Sequence, residues 1–326
     1  MPEIRKDIFG GGWVIYSGKR IGRPNDYADS KVKCPFCPGR EEETPPEILR
    51  WPKGKNWQIR LVPNRYPALT KEENFLKPSC GLYEYAGGYG IHDVLVETPE
   101  HKGGFENFSI EKIKKIFEIY SMRCGEIKKE KNIKYAMVFK NVGKNAGASL
   151  RHPHSQIIGL PLIPSTVSWE TEKNESFWEK NSKCLFCETL KNEIKIKSRI
   201  VYENSKYAAF CPFASRFFFE IWIMPKKHEP YFESPKNDFL ALAYAVKKVF
   251  SALNRSVKNL SYNMIIHSAP CGEHPHYHWH IEILPKLASM AGFEWGSGFH
   301  INSLRPEEAA KILRKGKIFN FDKEEK

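Results

Sequence analysis

The chain has no apolar run approaching the roughly 18 residues of a helical membrane span, and nothing at its N-terminus has the pattern of a secretory signal. No membrane partner is expected, and a cytoplasmic protein is. Also missing is a basic stripe interleaved with aromatics. Phe217-Phe218-Phe219 and Trp222 lie in apolar, strand-like patterns, and lysines alternate with glutamates along segments such as Glu111 to Lys131. Despite a net charge of +13, this argues against a nucleic-acid-binding module. A basic balance suits small, phosphate-rich ligands instead. With 326 residues, 41% hydrophobic and 13% aromatic, the chain can bury the core of one large or two medium domains.

Cysteine is sparse, and its spacing does not suit a disulfide framework. Of eight cysteines, Cys34 and Cys37 form one C-x-x-C, Cys184 and Cys187 another, and Cys80, Cys124, Cys211 and Cys271 are dispersed. Histidines follow each pair at a distance: His101 and His152 after the first, then His228 and the cluster His274, His276, His278 and His280 after the second. Two Cys₂His₂ metal sites are the reading this supports, with zinc the expected ion, about two per chain. Redox thiols are the alternative; they need a helix N-terminus, and both pairs read as knuckle-like turns.

The sharpest feature is His152-Pro153-His154-Ser155-Gln156, which puts two imidazoles and a carboxamide at i, i+2 and i+4. On a strand these share one face, and the apolar segments Tyr135 to Phe139 and Ile157 to Pro161 have strand length, so one sheet edge presents the group. Just upstream, residues 141–149 form a small, donor-rich loop containing Gly147, suited to close approach by a phosphate. An imidazole attacking phosphorus splits one displacement into two, provided its other nitrogen is held in one tautomer. His154 is the candidate nucleophile. A bare H-x-H pair more often marks surface or metal-ligating histidines, and it is the surrounding residues that favour the nucleophile.

These residues, in this order, resemble the galactose-1-phosphate uridylyltransferase family, the transferase branch of the histidine-triad superfamily, whose signature is His-Pro-His-x-Gln. The resemblance covers nearly the whole chain. It implies phosphate contacts from Arg20 and Arg23 in Trp13 to Pro24, nucleotide binding by Asn64 in Leu61 to Pro67, and a metal-binding His101 after His92 to Glu100. Phe139-Lys140-Asn141, Gly147 and Ser149 fall where the family makes nucleotide and phosphate contacts. It also implies His152 as a metal ligand whose carbonyl fixes the tautomer of His154, and a homodimer. Where hydrolytic relatives carry a third histidine, Gln156 can donate a hydrogen bond but gives up no proton, which suits a sugar 1-phosphate leaving group.

The second half echoes the first: Cys184-x-x-Cys187, a strand ending near His228, a helix, then Tyr262 to Pro285. The expected fold is α+β, two duplicated histidine-triad-like units with antiparallel sheets and helices packed on them. Residues 1–170 form the catalytic unit and 171–326 carry the second metal site, with a break between Pro164 and Lys183. Counting back from the proline aligns His276 with His152. Relatives with a second zinc point to His228 and His278 as the remaining ligands, with His276 the runner-up; Glu170 and His267 match part of an iron set that other members carry. Expected substrates are UDP-glucose or UDP-galactose and a hexose 1-phosphate. Adenylyl transfer or phosphorolysis on ADP-glucose or a dinucleoside polyphosphate is the alternative.

Overall fold

The structure, a computed structural model, describes residues 2–27, 33–76 and 79–319. Its strands in the first half are β1 (Glu3–Lys6), β2 (Trp13–Tyr16), β3 (Leu49–Trp51), β4 (Ile59–Pro63), β5 (Ser79–Cys80), β6 (Tyr83–Gly87), β7 (Ile91–Val96), β8 (Tyr135–Val142) and β9 (His154–Leu160). The second half adds β10 (Ile200–Glu203), β11 (Tyr207–Phe210), β12 (Ile221–Pro225), β13 (Tyr262–His267) and β14 (His280–Pro285). Ten of these form one antiparallel sheet in the order β10-β11-β12-β14-β13-β8-β9-β7-β4-β3, and β2-β1-β6-β5 form a small second sheet. From either outer edge of the large sheet, the strands follow one connectivity to the central β8–β13 pairing. The duplication is thus visible as topology.

Two long helices cover one face. The helix α1 (Ile110–Ile127) starts where the Ser109 hydroxyl accepts from Lys112 N–H, and it buries Ile113, Ile116, Phe117, Tyr120, Cys124 and Ile127 at helical spacing. Its counterpart, which becomes α4 (Phe239–Ser256) after α2 (Ser165–Asn181) and α3 (Leu185–Ile196), is capped by Asp238 and buries Leu242, Val246, Val249 and Leu253. Both helices share one apolar core with inward residues of the sheet such as Leu61, Leu95, Ile157, Ile223 and Ile281. Short helices α5 (Gly292–Ser297) and α6 (Pro306–Lys315) finish the chain. The opposite face carries two smaller clusters, one around Cys34, Phe36, Val94 and Val96, the other around Cys184, Phe186, Phe210 and Met224. No described helix is long and apolar enough to cross a membrane.

Three local expectations change. The break expected between Pro164 and Lys183 is helix α2, whose Glu170 points into the second half. Cys184 caps α3 and Cys187 lies in its first turn, so the second pair is not in a knuckle. The motif strand is not at an edge, because β9 lies between β7 and β8, and it begins only at His154. Pro153 has no N–H for a ladder, so His152 precedes the strand, where its ring lies 3.6 Å from Cys37 Sγ.

Candidate active site

Strand register places the reactive face. Gln156 stands opposite Val94 on β7 and Phe139 on β8, and His154 opposite Val96. Alternation sends His154, Gln156, Phe139 and Asn141 to the face away from the helices, where they line a cavity of about 280 Å³ with Arg20, Arg23, Phe36, Asn64, Gly147 and Ser149. Every expected nucleotide- or phosphate-contacting residue except Lys140 therefore meets in one place. Lys140 has the other parity: its ammonium is buried against Glu97 at 2.5 Å and reaches the His154 carbonyl at 3.3 Å from behind. The Tyr120 hydroxyl, with one proton, donates to Glu97 at 3.1 Å and accepts from Ser155 at 2.6 Å, which satisfies the network beneath the motif strand.

His154 is held in one tautomer. Its Nδ1–H donates to the His152 carbonyl at 2.7 Å, so the Nε2 lone pair is left for the cavity. Burial, with the nearby Lys140 charge, lowers its pKa below the ordinary value of 6.5 against the opposing pull of the carbonyl and Glu97. A neutral ring is the nucleophilic form. Phe36 packs 5.4 Å from it, centroid to centroid.

The cavity's carboxamides are oriented from outside. Tyr66 N–H donates to Asn64 Oδ1 at 2.8 Å. Asn263, on β13 of the second half, donates to the Ala146 carbonyl at 2.9 Å and to Asn141 Oδ1 at 2.8 Å. In both, the oxygen is occupied and the NH₂ remains to donate. The 141–149 loop is shaped by Gly143 and Gly147, at φ of 85° and 76°; a Cβ on Gly143 would lie 2.1 Å from the Ser261 hydroxyl. With Arg20 and Arg23, this wall suits an anion. Burial lowers the pKa of Arg20 in company with Arg23, a cost that a bound phosphate offsets.

Ligand atoms of Cys34, Cys37, His101 and His152 all lie within 4.8 Å of one another, and so do those of Cys184, Cys187, His228 and His278. The donor chemistry fits a tetrahedral thiolate–imidazole ion. Three of the rings donate Nε2–H to backbone carbonyls, His152 to Thr98 at 2.8 Å, His228 to Pro275 at 2.7 Å and His278 to Pro225 at 2.9 Å, which leaves Nδ1 facing the sulfurs. Burial pushes the Cys34 thiol up to about 12, a penalty a cation would relieve. His276 is not in the cluster; it stacks on Trp178 at 4.1 Å.

This moves the repeat by two residues. His280, not His278, opens β14 as His154 opens β9, and its Nδ1–H donates to the His278 carbonyl at 3.2 Å. His278 and His280 are therefore the mates of His152 and His154, and Glu282 that of Gln156. His280 is fully buried: Trp222 stacks on it at 4.8 Å where the first half has Val94, Phe186 packs at 5.1 Å, and Arg216 binds Glu282 at 2.8 Å. The position equivalent to Asn141 is His267, which faces Glu170 at 3.1 Å. Tyr277 also donates to Glu170 at 2.6 Å.

Burial opposes the charge on His267, but Glu170 outweighs it and raises the pKa to about 9; burial would raise Glu170, yet His267 brings it to about 2. The raised histidine contributes stability below its ordinary 6.5 that is lost as pH climbs through 9; the depressed carboxyl contributes above 4.5 and loses it as pH falls through 2. Melting temperatures of the protein and of Glu170→Gln should thus differ most between pH 4.5 and 6.5 and converge toward pH 9. A constant gap across that range would show that the pair is not charged.

Comparisons with known proteins bear on the family and the fold. A family model described as galactose-1-phosphate uridyl transferase, N-terminal domain, matches residues 12–164, and a model of a domain of unknown function matches residues 97–317. An ADP-glucose phosphorylase of Arabidopsis thaliana is 36% identical, covering 96% of this chain and 92% of the relative. A galactose-1-phosphate uridylyltransferase of Thermotoga maritima is 31% identical, covering 98% and 99%. Among solved structures, a uridylyltransferase superposes with a TM-score of 0.84 at 32% identity over 96% of this chain and 98% of its own. The Arabidopsis ADP-glucose phosphorylase with bound ADP-glucose gives 0.76 at 34% over 97% and 99%. The duplicated antiparallel fold with an open pocket at His154 is that of a transferase class. The chain belongs to the galactose-1-phosphate uridylyltransferase family, with ADP-glucose phosphorylase-like relatives.

Two residues of consequence escaped the sequence reading, His92 and Asn263. They meet Gln156 and Asn141 through strand register over long sequence separations, and no local pattern marks them.

Proposed function

We propose that this protein transfers a uridylyl group between UDP-glucose or UDP-galactose and a hexose 1-phosphate by double displacement at His154. The Nε2 of His154 attacks the α-phosphorus, the P–O bond to the hexose 1-phosphate breaks, and that stable anion leaves without needing a proton. A second hexose 1-phosphate then attacks the same phosphorus and the N–P bond breaks. Gln156 donates to the phosphoryl oxygens; Arg20, Arg23, Asn64, Asn141, Gly147 and Ser149 bind the nucleotide and its phosphates. The observation that carries this reading is the 2.7 Å bond from His154 Nδ1 to the His152 carbonyl, which leaves Nε2 as the cavity's nucleophile.

Cys34, Cys37, His101 and His152 would hold one zinc ion and Cys184, Cys187, His228 and His278 a second, two per chain, the first of which would tie the Cys34 loop to the His152 turn. Residues 1–170 are the catalytic unit and 171–326 the unit with the second ion. The protein acts in the cytoplasm as a homodimer; exposed Phe293, Trp295, Phe299 and Ile301 offer an apolar surface for the contact. A second reading is adenylyl transfer or phosphorolysis on ADP-glucose by the same residues, favoured by the 36% identity to the Arabidopsis phosphorylase.

Incubation with UDP-glucose or ADP-glucose labelled at the α-phosphorus tests both. Acid-labile label on the protein is expected, faster from UDP-glucose. Label from ADP-glucose alone would select the second reading, and none from either would overturn both.

A further inference from the structure

The third carboxamide of the cavity, Gln156, also has an orienting partner, and the chain of reasoning starts from a backbone amide. Ala68 N–H can only donate, and it lies 3.0 Å from Nδ1 of His92, so this nitrogen carries the lone pair. Burial lowers the pKa of His92 to about 4, so the ring is neutral near pH 7 and its proton is on Nε2. That N–H stands 2.8 Å from Gln156 Oε1. Asn64 Nδ2, 3.2 Å from the same Nε2, is itself a donor because its Oδ1 accepts from Tyr66 N–H. Two donors form no hydrogen bond, so the Asn64 NH₂ stays available.

We propose that His92 is a positioning residue for the transfer: it fixes the Gln156 carboxamide with its NH₂, not its oxygen, toward the transferring phosphoryl group. The inference rests on the reading of Gln156 as a phosphoryl contact. Register makes it geometrically direct, because His92 lies two residues from Val94, the strand partner of Gln156, on the same face of β7. A flipped amide would aim oxygen lone pairs at an anion. With His92 in place, Asn64, Asn141 and Gln156 all present NH₂ groups to the cavity, each with its oxygen already engaged.

Two substitutions separate the ring's nitrogens. His92→Asn keeps an acceptor near Nδ1 for Ala68 and lacks the donor; His92→Gln places an NH₂ near Nε2. The rate of label transfer to the protein from α-labelled UDP-glucose and ADP-glucose is measured in single turnover, with melting temperature and metal content followed alongside. His92→Asn should slow transfer about tenfold with KM little changed, a smaller loss than the roughly 10²-fold to 10³-fold from removing the Gln156 donor itself. His92→Gln should recover most of the rate. In a Gln156→Ala background, His92→Asn should cost nothing further, since it then has no amide to orient. An additive loss, a loss confined to KM or a wild-type rate for His92→Asn would overturn the inference, whereas full activity of Gln156→Ala alone would overturn the role of Gln156. Should the His92 variants not fold, ¹⁵N NMR of the unaltered protein decides the matter: a proton on Nδ1 of His92 rather than Nε2 would end the proposal.

Discussion

His154→Ala should abolish turnover, lowering kcat on the order of 10⁴-fold or more, while the protein should still fold and bind its nucleotide. The size of the loss follows from covalency: the cavity's remaining donors stabilise a transferring phosphoryl group but cannot form the bond to phosphorus. Folding should survive because His154 is half-buried at the first residue of β9, in the cavity wall, outside the main apolar core. Acid-labile label should vanish with the turnover. Residual activity of more than a few per cent, with label still on the protein, would move the nucleophile elsewhere. The matching substitution in the other half, His280→Ala, should leave the chemistry unchanged, since that ring is fully buried beneath Trp222 and Phe186.

What could be read from the sequence is what residue types and short spacings specify. His154 and Gln156 are adjacent members of one strand face, and each C-x-x-C presents two thiolates in one turn whatever its conformation. Long-range partners follow from register, which short spacing does not determine. His92 meets Gln156 across 64 residues and Asn263 meets Asn141 across 122. The two-residue error in the repeat has the same origin. Distance from a proline was the ruler, but Pro285 lies inside β14 while Pro161 lies beyond β9, so the strands begin at different distances from it. Lys140 misled through parity: a charged residue beside the cavity-lining Asn141 reads as a ligand contact, whereas alternation puts it on the helix face, where Glu97 compensates its charge. The knuckle argument against redox thiols fails at Cys184, and what favours metal there is the pair of imidazole nitrogens 3.3 Å from Cys187.

Cys34→Ser and Cys184→Ser should each remove one metal ion per chain and lower the melting temperature, but only the first should also cost activity in the folded protein. Structural zinc in small domains contributes about 10–16 kcal/mol, comparable with the 5–15 kcal/mol stability of a whole domain, so either loss should be large and visible by plasma emission and thermal melting. The difference lies in what each cluster holds. In the first, His152 both faces Cys37 and offers the carbonyl that fixes the tautomer of His154; once the ligand set is broken, that turn is free to move and the Nε2 lone pair is no longer aimed. In the second, His278 holds the same relation to His280, a ring sealed under Trp222 and Phe186 with no substrate to meet. Label transfer measured below the melting temperature of each variant therefore separates them: Cys184→Ser should retain the rate per folded molecule, and Cys34→Ser should not. Equal rates in the two variants would mean that the first ion has no part in holding the nucleophile, and full metal content in either would mean that the corresponding cysteine is not a ligand.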